Sequence, residues 1–183
     1  MKKSPFVRGY CITVCLLAPA LQHVYNGYEV IKLVYKVLEP LKKRAVAARV
    51  LGDLPEWFGI PESTEAYISE SEQLPFFAAE VDGEPAGFIV LKETSPATAE
   101  LCVMGVMKKY HRQGIGRALF KAFKQEAIQR GYQYVQVKTV AGGHYENYDK
   151  TRMFYESMGF APLEVLPTLW DENNPCLIMV MKL

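Results

Sequence analysis

The stretch Lys108-Lys109-Tyr110-His111-Arg112-Gln113-Gly114-Ile115-Gly116-Arg117 concentrates the residue types that hold an anion. Its two glycines let backbone N–H groups curl toward a ligand with no Cβ in the way. Those groups open onto the start of an amphipathic segment, and a helix N-terminus carries partial positive charge. Arg112 and Arg117, with Lys108 or Lys109 beside them, add charge-assisted donors for phosphate oxygens. The chemistry is that of a phosphate or pyrophosphate cradle. Read without a ligand, the same residues are a glycine-rich strand-to-helix turn.

Two common phosphate loops do not fit. The chain has no Gly-x-x-x-x-Gly-Lys-Ser/Thr. A dinucleotide fingerprint needs a third glycine and belongs in the first strand-helix-strand unit, whereas these glycines come late.

The surrounding pattern predicts the elements that position this turn. Tyr28 to Leu38 reads as a first strand, with Val30, Val34 and Val37 among polar neighbours. Pro40 and Pro61 sit where helices begin, giving helices to Leu51 and Gln73 on either side of the aromatic loop Leu54 to Gly59. Phe76 to Val81 and Gly87 to Lys92 are strands joined at Asp82-Gly83, a hairpin signal. Thr94 to Thr98 is a loop, and Glu100 to Val106 is an apolar strand suited to burial on both faces. Ile115 to Arg130 is an amphipathic helix with Leu119, Phe120, Phe123, Ala127 and Ile128 inward, closed by Gly131. Tyr132 to Val140 is a strand and Asp149 to Met158 a short helix stopped by Gly159. Phe160 to Leu166 and Cys176 to Lys182 are the last strands, around a loop from Pro167 to Pro175. The order is β-α-α-β-β-β-α-β-α-β-β.

Val106 to Leu119, taken with Thr-Arg-Met-Phe-Tyr-Glu-Ser-Met-Gly-Phe at Thr151 to Phe160, resembles the GCN5-related N-acetyltransferase (GNAT) superfamily. The likeness runs from about Tyr28 to Leu183 and extends to element order. It implies an α/β (α+β) fold, a mixed, mostly antiparallel and splayed sheet of about seven strands flanked by about four helices. It also implies acetyl-CoA as cosubstrate, held between the fourth and fifth strands, with no metal. The family motif is Arg/Gln-x-x-Gly-x-Gly/Ala, and His111 stands where Arg or Gln is usual. That departure leaves the backbone amides intact. The resemblance therefore assigns the cofactor to Met104, Val106, His111, Arg112, Gln113, Gly114, Ile115, Gly116 and Arg117. The family's Asn falls seven residues before its tyrosine, where this chain has Tyr148, and the adjacent Asn147 is the substitute.

Acetyl transfer to an amine needs a neutral nitrogen, and deprotonating a lysine-like ammonium at neutral pH costs about 4–5 kcal/mol. By resemblance Glu100 is the base, directly or through water, because Ala-Glu-Ile occupies the place of Ala99-Glu100-Leu101 in histone-acetylating relatives. Its plain alternative is a strand-end surface carboxylate. Tyr155, four residues before Gly159-Phe160, matches the tyrosine that donates a proton to the CoA sulfur. Its plain alternative is a packed aromatic. The thioester oxygen is expected on a strand amide near Met104, Gly105 or Val106, where the family opens a bulge.

Acceptor contacts are expected from Trp57-Phe58, from the loop Gly142 to Tyr148 with Tyr145, and from Trp170-Asp171-Glu172-Asn173. Carboxylates at Glu56, Glu146, Asp149, Asp171 and Glu172 could draw in a cationic amine, or simply solvate loops. A small amine, an antibiotic amine and a protein N-terminus or lysine all stay open as acceptors. So does a non-catalytic acyl-CoA sensor on the same fold, which would keep the turn without needing Glu100 or Tyr155.

The totals fit this picture. A 183-residue chain of net charge +1 accommodates one domain and does not argue for nucleic acid. Cys11, Cys15, Cys102 and Cys176 form neither a zinc spacing nor a redox pair, and His23, His111 and His144 show no helical metal spacing. Sparse cysteines suit a reducing cytoplasm, which is the expected location. The catalytic domain is expected over residues 27–183. Residues 1–26 are read as a separate extension, with Lys2-Lys3 before an apolar run from Tyr10 to Leu21 too short for a transmembrane helix. A packing arm or homodimer arm, an upstream extension of the reading frame and an export signal remain its three readings.

Overall fold

The computed structural model describes residues 32–171 and 173–183. The residue 1–26 readings lie outside them. Elements run β1 (Lys32–Val37), α1 (Pro40–Gly52), α2 (Pro61–Ser71), β2 (Phe76–Val81), β3 (Glu84–Ser95), β4 (Thr98–Val106), a 3₁₀ turn (Lys108–Tyr110), α3 (Ile115–Gln129), β5 (Tyr134–Val140), α4 (Glu146–Met158), β6 (Ala161–Asp171) and β7 (Asn174–Lys182). The seven strands form one sheet in the order β1-β2-β3-β4-β5-β7-β6. Every pairing is antiparallel except β4 with β5.

Both faces of the sheet are covered, which is why β2 to β4 read as nearly continuous apolar runs. On one face Phe77, Ala79, Ile89, Leu101, Val135 and Val137 pack against Leu119, Phe120 and Phe123 of α3 and Tyr155 of α4. On the other, Phe76 stacks on Phe88 at 5.0 Å, and α1 and α2 cover them with Val46, Val50, Leu51 and Ile68. Ile128, expected inward, is exposed, because the inner stripe of α3 ends at Ala127.

Two boundaries differ in a way that bears on the site. The predicted loop Pro167 to Pro175 is instead a hairpin, since β6 continues to Asp171 and β7 resumes at Asn174. Asp171 makes that turn with its own carboxylate, accepting from the Asn173 and Asn174 N–H groups at 2.8 and 3.1 Å. Likewise β3 and β4 extend to Ser95 and Thr98, leaving only a tight turn of the predicted Thr94 to Thr98 loop.

The parallel β4–β5 pairing is short. It joins Thr98–Leu101 to Tyr134–Val137 and then stops. Within β4, Leu101 faces Leu91 while Val103 faces Val90, so Cys102 is an extra residue between them. The irregularity therefore lies upstream of the expected Met104 to Val106. Gly105 is in register with Phe88, and its missing side chain makes room for α1: a Cβ there would lie 2.8 Å from Val50 Cγ1. The extra residue reverses side-chain parity. Ala99 and Leu101 point to α3, and beyond Cys102 it is Met104 and Val106 that pack on that side.

Candidate active site

The split between β4 and β5 is bounded above by the turn into α3. Met107 donates its N–H to Ala86 O on β3 at 2.9 Å. Strand alternation then directs the N–H groups of Met104 and Val106 away from β3, toward the side where β5 has departed. The first helical bond of α3 runs from Ala118 N–H to Gly114 O at 3.0 Å. The N–H groups of Ile115, Gly116 and Arg117 precede that ladder and carry no side-chain cap. Arg112 at φ 60° and Gly114 at φ 82° turn the chain so that neighbouring amides converge into a nest. A Cβ on Gly114 would meet nothing within 4 Å, so the space above the turn is open to a ligand. Gly116 has a different task. A Cβ there would lie 3.3 Å from Met104 Cε and Phe154, so this glycine lets α3 close onto β4 and α4.

The side chains of the turn divide into two groups. His111 folds back so that Nε2 lies 2.6 Å from Val106 O, and its ring meets Trp57 edge-on at 6.2 Å. Gln113 donates to Lys109 O at 2.9 Å. Lys108 pairs with Glu56 at 2.5 Å, and its N–H binds Asp53 Oδ2 at 2.7 Å. Lys109 lies over the Tyr110 ring. Arg112 and Arg117 are exposed and form no ion pair among the described residues. Asn147 lies in the first turn of α4 and accepts from Thr151 Oγ1 through its carbonyl.

The predicted acceptor segments converge. Trp57 and Phe58, Tyr148, Trp170 and Asp171 line one cavity of about 460 Å³. Tyr145, whose ring lies 6.0 Å from that of Tyr148, stands beside it. Sequence reading missed the α2 contribution: Ile60, Ser63, Thr64 and Tyr67 also line the cavity. Their spacing of three, four and seven is one helical face, and that was the signal to be found. Trp57 is anchored twice. Its indole N–H donates to Thr151 Oγ1 at 3.0 Å, and its carbonyl accepts from the Tyr148 hydroxyl at 3.0 Å.

Tyr155 is 8% exposed and packs against Phe154 and Phe160. Burial pushes its phenol well above the ordinary tyrosine value, and the phenols of Tyr148 and Tyr67 add to the rise. Both of those line the cavity, so Tyr155 stands within electrostatic reach of the cavity wall while buried on the α3 side. Glu100 is also 8% exposed, not a surface carboxylate. Its Oε2 accepts from Lys138 Nζ at 2.5 Å and from Gln136 Nε2 at 2.8 Å. Glu100, Glu70 and Cys102 all raise the pKa of Tyr67, after burial itself, which ties this polar cluster to the cavity.

The acceptor carboxylates are mostly spoken for. Glu56 pairs with Lys108, Glu146 with Lys150, and Asp149 with Arg152. Among the described residues Asp171 is bound only by neutral donors, with Asn174 foremost in holding its carboxyl below the usual range. Glu172 lies outside the described residues. No helix among the described residues is long and apolar enough to cross a membrane.

Comparison with known proteins agrees with this geometry. An uncharacterized N-acetyltransferase of Bacillus subtilis (strain 168), YsnE, is 28% identical over 126 residues, covering 67% of this chain and 81% of that protein. The solved structure of an aminoglycoside 6'-N-acetyltransferase complexed with coenzyme A superposes with a TM-score of 0.65 at 19% identity, covering 81% of this chain and 96% of the other. The ribosomal-protein-S18-alanine N-acetyltransferase from Escherichia coli superposes at 0.63 and 21% identity, covering 81% and 93%. At such identities the structural likenesses establish the fold. The profile of the Acetyltransferase (GNAT) family matches residues 44–160, more than half of the chain, with all of the turn and the β4–β5 split but not the β6–β7 hairpin. The protein belongs to that family, and it is an acyl-CoA-dependent N-acetyltransferase.

Proposed function

We propose that the protein transfers the acetyl group of acetyl-CoA to a primary amine seated in the cavity beside Trp57, by direct attack of the amine nitrogen. The observation that carries this reading is the β4–β5 split, which ends pairing at Leu101 and Val137 just below the open amides at the start of α3. The fit is one of donors without acceptors: the amides of residues 112–117 suit a pyrophosphate, with Arg112 and Arg117 adding charge. Met104 and Val106 offer N–H groups to the amides and thioester of the pantetheine arm, and Asn147 is the candidate on the α4 side. Acetyl-CoA supplies the activated thioester.

Tyr155 keeps its proton across the neutral range because burial raises its pKa. It is therefore in its donor form toward the departing sulfur, whose parent thiol has a pKa of about 8.5, while the same burial makes the phenol a weaker acid. Glu100, tied to Lys138 and Gln136, accepts the amine's proton through water or a cavity-facing group such as Tyr67. His111 serves by bracing the Val106 carbonyl and Trp57, while the backbone of its turn does the binding.

The test is thiol release from acetyl-CoA across a panel of amines and N-terminal peptides, beside thermal stabilisation by CoA. Release with at least one acceptor supports the reading. Stabilisation by CoA with no release from any acceptor supports an acyl-CoA sensor instead.

A further inference from the structure

We infer that the acceptor is a primary amine carrying a flat apolar or aromatic body and no second cationic group. The inference rests on the proposed acetyl transfer and narrows its acceptor. Five of the twelve residues lining the cavity are aromatic, Trp57, Phe58, Tyr67, Tyr148 and Trp170, contributed by the α1–α2 loop, α2, α4 and the β6–β7 hairpin. Rings brought from four separate elements make a surface that gains from burying a flat hydrocarbon face.

The charge around the cavity argues the rest. Among the described residues Asp171 is the one carboxylate lining it and has no cationic partner there. The nearby carboxylates Glu56, Glu146 and Asp149 are each matched by a lysine or arginine. Below the cavity Glu100 is matched by Lys138, whose strand face also carries the lining residue Val140. A single ammonium finds one counter-charge and aromatic faces that favour a cation. A polyamine or an amino sugar with several ammonium groups would have to strip water from cations that meet no partner. Ring and charge together therefore select an arylalkylamine-like acceptor over a polycation.

The experiment compares kcat/KM for thiol release from acetyl-CoA with 2-phenylethylamine, spermidine and kanamycin, with the wild type and with Phe58→Ala and Trp170→Ala. The expected result is a value for 2-phenylethylamine at least tenfold above both polycations. Each variant should raise its KM about tenfold more than it lowers kcat, with CoA-induced thermal stabilisation kept. A preference for spermidine or kanamycin would overturn this inference while leaving acetyl transfer standing. No release from any of the three would overturn this inference, and the transfer reading would fall with it only if the wider panel of amines and N-terminal peptides also gave none. An unchanged KM in both variants would overturn the aromatic basis of selection.

Discussion

The indole N–H of Trp57 donates to Thr151 Oγ1 at 3.0 Å, fastening the loop between α1 and α2 to the second turn of α4. The residues are 94 positions apart in sequence, and Trp57 borders both the acceptor cavity and the turn that carries His111. Replacing Thr151 with Val keeps the shape and removes the acceptor, costing about 1 kcal/mol as a part-buried donor loses its partner. The expected signature is a raised KM for the amine with a smaller change in kcat, read from initial rates. Equal losses in Thr151→Val and Thr151→Ser would point away from the hydrogen bond.

Tyr155→Phe should lower kcat by about a hundredfold, within the range of general acid catalysis, while leaving CoA affinity near wild type. The sign of the pH effect follows from burial. A phenol raised above its ordinary value of 10.0 stays protonated through pH 9, so the wild-type rate should show no alkaline loss from this group below that point. A pH-rate profile of both proteins, with calorimetric titration of CoA, checks the pair of expectations.

Gly114 and Gly116 should fail for different reasons. Gly114→Ala places a side chain at φ 82° and should cost about 1 kcal/mol in stability. Gly114→Asp adds a carboxylate to the open space above the turn and should abolish CoA binding. Gly116→Ala pushes on Met104 and Phe154 and should lower the melting temperature with a milder loss of CoA affinity. Thermal melts with and without CoA separate the cases; wild-type CoA affinity in Gly114→Asp would sink the loop assignment.

Glu100 calls for a paired substitution, because it is both a buried ion-pair member and the proposed base. Glu100→Gln strands Lys138, which is 30% exposed, so a loss of about 1–2 kcal/mol is expected, below that for fully buried pairs. Adding Lys138→Met should restore stability. If turnover stays at least tenfold down in the restored protein, Glu100 moves the proton; if turnover returns, its service is structural.

Cys102 gives a reactivity prediction with a clear sign. Burial, with Glu70 beside it, pushes its thiol up to about 12. At pH 8 only roughly one thiol in ten thousand is then ionised, and the thiolate is the reactive form. Iodoacetamide at that pH should leave Cys102 unmodified in the native protein and label it after denaturation, as peptide mass mapping would show.

Element order, the inward face of α3 and the phosphate-type turn were legible in the sequence, because each rests on local spacing: period 3.6, period 2, and glycines ahead of an amphipathic run. The acceptor segments at Trp57-Phe58, Tyr148 and Trp170-Asp171 were legible as residue types. Their meeting was not, since Trp57 and Trp170 converge only through the sheet that separates them in the chain. The extra residue at Cys102 was invisible locally, because a bulge is defined by the partner strand, here Val90 and Leu91. Tertiary structure also settled the electrostatics. It gave Glu100 to Lys138, Glu56 to Lys108 and His111 to a backbone carbonyl, and among the described residues left Asp171 without a cation. Local sequence could fix what each segment offers. Only the closing of distant segments upon one another decided which charges are cancelled, and so which ligand the remaining ones can hold.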